Sequence, residues 1–131
     1  AHAFSVSIRA SRRAIKTVLM DQRVVAGVGN IYANEALWAA RVAPSRAGAR
    51  VTYAEGAAIL GELRRLLTAS IAAGGTTFRD YRDPAGNRGS FAGQLQVYGR
   101  AEAPCPRCGT PIATHHRLER RATFWCRECQ R

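Results

Sequence analysis

Four cysteines constrain this chain more than any other feature. Cys105, Cys108, Cys126 and Cys129 form two C-x2-C pairs, seventeen residues apart, within "CPRCGTPIATHHRLERRATFWCREC". Each pair can wrap a turn around one metal, and together they offer four thiolates at tetrahedral corners. Pro106 stiffens the first turn, Gly109 lets the backbone curl behind Cys108, and "ATFWC" reads as a strand entering the second pair. Two disulfides are the rival reading. The N-terminus shows no apolar export segment, so a reducing compartment is expected, in which thiols stay free. With all four positions filled by protein, the expectation is one structural Zn2+ ion with no catalytic opening. His115 and His116 read as solvated loop residues. Complete metal removal is expected to melt at least residues 97–131; unchanged far-UV circular dichroism and melting temperature would contradict this.

The rest of the chain reads as mainly α. "SRRAIKTVLMDQ" is expected as a helix capped by Ser11, with Ile15, Val18 and Leu19 inward and Arg12, Arg13 and Lys16 on other faces. A second helix is expected from about Ile31 to Arg41, capped by Asn30 and stopped by Pro44. The third, over residues 52–73, is the clearest. Thr52 and Glu55 make a capping box, Ile59, Leu60, Leu63, Leu66, Leu67 and Ile71 a buried stripe, and Gly74-Gly75 the end. Gly56 and Gly61 weaken its interior unless close helix contact requires them. "FSVSI" (Phe4 to Ile8) alternates like a short strand, and "LQVYGR" reads as another. "TTFRDYRDPAGNRGSFAGQ" (Thr76 to Gln94) is rich in turn residues and reads as a mobile loop. The expected organisation is a helical module over 1–75, a loop and linker over 76–96, and a four-cysteine zinc hairpin over 97–131.

Charge points to the partner. Twenty basic residues face nine acidic ones, giving +11, and nineteen of the twenty are arginine, with Lys16 the lone lysine. Arginine's planar fork pairs two-pronged with phosphate, and a charge this large repels itself, so a polyanion is the expected partner. The stretch "GVGNIYANEALW" supports this. Gly27-x-Gly29 is not a dinucleotide fingerprint, since Tyr32 stands where the third glycine belongs and no acid follows about 20 residues on. What remains is a turn bringing backbone N–H groups and the Asn30 amide near a phosphate.

"IKTVLMDQRVVAGVGNIYANEALWAARVAP", "GGTTFRDY", "FAGQLQVYGR", "PCPRCGTPI" and "RRATFWCRECQ" stand in order from about Arg12 to Arg131. In them the chain resembles the C-terminal half of the formamidopyrimidine-DNA glycosylase / endonuclease VIII family of base-excision repair enzymes. The formamidopyrimidine branch fits better. The resemblance implies a helix-two-turn-helix bundle followed by a zinc finger. It implies that Asn30 grips a DNA phosphate, and that Arg121 holds phosphates around the extruded nucleotide and assists a second elimination step in the full enzyme. It implies DNA-facing roles for Arg12 and Lys16, and a loop from Thr76 to Phe91 closing over the flipped base.

The family's N-terminal proline nucleophile and the glutamate after it have no counterpart here; the chain begins Ala1-His2. The resulting expectation is a monomeric binder of double-stranded DNA, damaged or abasic sites included, without glycosylase or lyase activity of its own. The setting is the bacterial cytoplasm near the nucleoid, with no membrane. Two alternatives stay open: a fragment of a complete bifunctional glycosylase, and a zinc-ribbon module binding RNA or acidic partners.

Overall fold

In a computed structural model, residues 2–21, 29–72, 95–118 and 120–131 are described. The elements in chain order are α1 (His2–Arg9), α2 (Ile15–Met20), α3 (Asn30–Ala39), a 3-10 turn (Gly48–Arg50), α4 (Tyr53–Ala72), β1 (Ala113–His115) and β2 (Thr123–Trp125). The described residues are thus mainly helical in their regular structure, with one two-stranded antiparallel sheet among them, registered Ala113↔Trp125, Thr114↔Phe124 and His115↔Thr123. No helix among the described residues is long and apolar enough to cross a membrane.

The main core joins Ile8, Ile15, Val18, Leu19, Ala33, Leu37, Ile59, Leu63 and Leu66 from all four helices. Phe4 to Ile8 is helical, not a strand. At helical spacing Ser5 and Ile8 turn inward onto α4, and that burial outweighs a five-residue alternation. The approach is close: a Cβ at Gly56 would lie 2.3 Å from Ser5 Oγ, which accounts for that glycine. Gly61 faces open space and has no such reason.

Ser11 does not cap α2. Its Oγ accepts from Arg13 N–H, and the helix starts only at Ile15, after Ala14. The residue capping α3 is Gly29, and Asn30 is the first helical residue. The helix ends before Pro44 can stop it. Arg41 adopts φ 63°, its N–H bonds to the Trp38 carbonyl and Val42 N–H to the Leu37 carbonyl, the Schellman pattern.

Thr52 and Glu55 form the capping box reciprocally, at 2.9 and 3.0 Å. The inward stripe of α4 runs Ile59, Leu63, Leu66, Ser70, and Ser70 bonds to the Tyr32 hydroxyl. Ile71, expected inside, is 79 % exposed because Ser70 takes the last position of that stripe. Gly74-Gly75 and the loop Thr76 to Gln94 lie outside the described residues. "LQVYGR" is a turn, not a strand: the N–H groups of Gln96, Val97 and Tyr98 all go to the Glu35 carboxylate, at 2.7, 2.9 and 2.8 Å.

Candidate metal centre and phosphate-binding face

The finger is built around its cysteines. Gly109, at φ 80°, turns the chain so that its N–H bonds to the Cys105 carbonyl, closing the first knuckle. The four sulfur atoms lie within 4.8 Å of one another and could hold a metal ion. Cys105 Sγ is 3.8 Å from Cys129 Sγ, and Cys108 Sγ is 3.5 Å from Cys126 Sγ. Metal–sulfur bonds of ~2.3 Å would set the corners of a tetrahedron about 3.8 Å apart. All four cysteines are free of disulfides.

Burial opposes ionisation of the Cys105 thiol, yet the Trp38 N–H and the backbone N–H groups of Arg107 and Cys108 outweigh it and bring it down to about 6. Burial and the neighbouring sulfurs push the Cys129 thiol up to about 12. The sulfurs therefore titrate as a set, and metal uptake displaces their protons.

A second core packs the finger onto α3: Trp38 with Val97, Cys105, Ile112 and Cys126. Buried Gln130 accepts from Cys126 N–H and donates to the Val42 carbonyl, tying the second knuckle to the chain after α3.

At the opposite end of α3 one carbonyl gathers several donors. Ala122 O, just before β2, accepts from Lys16 Nζ at 3.1 Å, Asn30 Nδ2 at 2.9 Å and Asn34 Nδ2 at 3.3 Å. Lys16 also donates to Thr123 Oγ1 at 2.8 Å, and Asn34 Oδ1 accepts from Phe124 N–H. Lys16 is only 1 % exposed and Asn30 6 %. The sequence placed Lys16 on a solvent side of α2. The structure covers it with the hairpin.

Arg121, the residue before Ala122, is exposed, and its charge acts on Lys16. Three of the four expected DNA-binding residues thus converge: Lys16, Asn30 and Arg121. Arg12 is exposed ahead of α2, and among the described residues no hydrogen bond or ion pair joins it to them. A pocket of about 330 Å³ lined by Arg13, Thr17, Met20, Asp21 and Arg121 opens between α2 and the hairpin. Sequence reasoning missed Asn34, Glu35 and Thr123. The available signal was Asn34-Glu35 within an otherwise apolar helix, since buried polar groups need partners.

Burial first, and then the Arg121 charge, bring the Lys16 ammonium down from 10.5 to about 8. Among the described residues no carboxylate pairs with it. Between pH 8 and 10.5 the unfolded chain holds a proton that the folded chain has lost, so Lys16 contributes a stability that rises with pH across that window. As the lone lysine it gives a single side-chain NMR signal. We expect that signal to titrate near 8 in the free protein and higher with duplex DNA; an ordinary value near 10.5 would contradict the burial.

The fold and site define a class: a helix-two-turn-helix unit onto which a four-cysteine finger is docked. The profile of the formamidopyrimidine-DNA glycosylase H2TH domain matches residues 1–82. The formamidopyrimidine-DNA glycosylase of Syntrophotalea carbinolica is 47 % identical over 123 residues, covering 94 % of this chain and 45 % of that protein. That of Yersinia pseudotuberculosis is 49 % identical over 124 residues, covering 93 % and 45 %. Among solved structures, the MutM (Fpg) protein of Thermus thermophilus superposes with a TM-score of 0.87 at 41 % identity, covering 98 % of this chain and 48 % of that one. The Lactococcus lactis Fpg in complex with DNA containing an abasic site gives 0.87 at 33 %, covering 98 % and 46 %. The chain belongs to the formamidopyrimidine-DNA glycosylase family and corresponds to its C-terminal half. It spans about half the length of the relatives it matches.

Proposed function

We propose that these 131 residues form a zinc-held module that grips the sugar-phosphate strand of double-stranded DNA, with damaged or abasic sites as its targets. The observation that carries the reading is a buried ammonium without a carboxylate partner among the described residues, beside Arg121 and sharing a carbonyl with Asn30. An ammonium carries three hydrogens and an amide two. Among the described residues, protein acceptors take two from Lys16 and one from Asn30, so each has one left for an anion. His115, held below its usual value by burial and then by Arg117 and Lys16, reports the same cationic field. The Lactococcus relative in complex with abasic-site DNA supports the choice of ligand.

Zinc is the metal we assign, because four thiolates in a tetrahedron suit a d10 ion with no redox chemistry. Such a site supplies rigidity, fixing the hairpin that carries Arg121. The module acts as a monomer near the bacterial nucleoid, and Arg12, just ahead of α2, extends the contact.

Base excision is not proposed for these residues alone. None of the five prolines is followed by glutamate, so the dipeptide that heads the family's catalytic domain is absent from them. Glycosylase and lyase activity would require a domain of that kind joined to this one. Borohydride trapping with this polypeptide on an oxidised-purine duplex is expected to give no adduct; an adduct would contradict the assignment.

The direct test is duplex affinity against salt. Phosphate contacts by the three cations Arg12, Lys16 and Arg121 would give a log–log slope of roughly −2.5 to −3, with Asn30 adding a contact but no counterion. An affinity unchanged from low to high salt would overturn the reading.

A further inference from the structure

We infer that Trp38 is a positioning residue for the metal centre, its indole N–H holding the Cys105 sulfur so that α3 and the metal site act as one unit. This rests on the zinc reading above. Trp38 Nε1 lies 3.4 Å from Cys105 Sγ, in a buried setting. The first knuckle grips the same ring from its face: the Arg107 guanidinium sits 3.8 Å from the ring centroid. Arg107 also donates to the Trp38 carbonyl and, at 3.4 Å, to the Ala39 carbonyl. Those are last-turn carbonyls of α3, where the helix dipole favours a cation. One ring is thus held at its edge by a metal-ligating sulfur and at its face by an arginine two residues further along.

The chemistry asks for such a donor. Four thiolates on one Zn2+ carry a formal charge of −2, and an N–H aimed at a sulfur draws density away from it. The same helix begins with Asn30 and carries Asn34, both bonded to the hairpin at Ala122. Metal occupancy at one end of α3 is therefore tied to the phosphate-binding amide at the other. Phenylalanine in place of Trp38 would keep an aromatic ring in the second core and lose the five-membered ring with its N–H, and the position of the charge-transfer band separates the lost N–H from the lost volume.

The test uses the whole chain with Trp38→Phe, and Trp125→Phe as control. The Trp125 indole nitrogen is buried with no hydrogen-bond partner among the described residues, so its loss removes no N–H···S bond. Each protein is loaded with Co2+ to read the sulfur-to-metal charge-transfer band, and with Zn2+ for competition against a chelator. Trp38→Phe is expected to move the band to longer wavelength and to weaken zinc retention about 10-fold. Trp125→Phe is expected to match the wild type. Identical bands and retention in Trp38→Phe and wild type would overturn the inference while leaving the zinc reading intact. A wild-type chain that takes up neither metal would overturn both. Should Trp38→Phe fail to fold, the zinc-loaded wild type decides: its Trp38 indole proton is expected to lie downfield of that of Trp125, which has no hydrogen-bond partner among the described residues, and coincident or reversed positions would overturn the inference.

Discussion

Replacing Glu35 with alanine is expected to destabilise the protein by about 3–5 kcal/mol, the largest stability effect of any single change outside the cysteines. Glu35 is 3 % exposed. Its two oxygens accept three successive backbone N–H groups, from Gln96, Val97 and Tyr98. Truncation leaves three donors facing a cavity, at about 1–3 kcal/mol each before water enters. Glutamine keeps the volume but replaces one acceptor with a donor aimed at donors, so Glu35→Gln should also destabilise. The midpoint of thermal unfolding should fall by roughly 10 °C or more. A loss under about 1 kcal/mol in denaturant unfolding would show that the connection between α3 and the finger does not depend on this carboxylate.

The same residue shows where sequence reasoning stopped. Local signals were legible. The reciprocal Thr52–Glu55 cap, the left-handed Gly109 behind Cys108, and the inward Ile15, Val18 and Leu19 all follow from neighbours within a few positions. Lys16 did not follow. On α2 alone it stands off the apolar face, and the residues that cover it, Ala122 and Thr123, lie more than one hundred positions further along. Nor did the turn at Gln96 to Tyr98, which looks like a strand until the Glu35 carboxylate takes its hydrogen bonds. Phe4 to Ile8 failed for the opposite reason: five residues fit two periods, and only packing on α4 chooses between them. The cysteine spacing was legible because a metal site imposes its own geometry on the chain. That α3 donates to a sulfur of that site was not, since it depends on how the finger docks.

The second large effect concerns binding. Lys16 and Asn30, from α2 and α3, share the Ala122 carbonyl, and Arg121 precedes that residue in the hairpin with its charge acting on Lys16, so one bound phosphate would be held by three separate parts of the chain. With a phosphate as acceptor both contacts are charge-assisted, the Arg121 ion pair and the Asn30 amide bond each contributing at least about 1.5 kcal/mol. Losing both should weaken duplex association roughly 100-fold, and the salt dependence should become shallower by about one counterion. Arg121→Ala alone should produce the change in slope, since Asn30 carries no charge. Asn30→Ala also removes one donor from Ala122, so each variant's metal content is measured alongside.

The decisive measurement is the dissociation constant of the Asn30→Ala/Arg121→Ala protein for an abasic-site duplex at several salt concentrations, with zinc content matched to the wild type. A roughly 100-fold loss with a shallower salt slope is the result predicted if helices and finger clasp one phosphate together. Undiminished affinity at full zinc occupancy would contradict it.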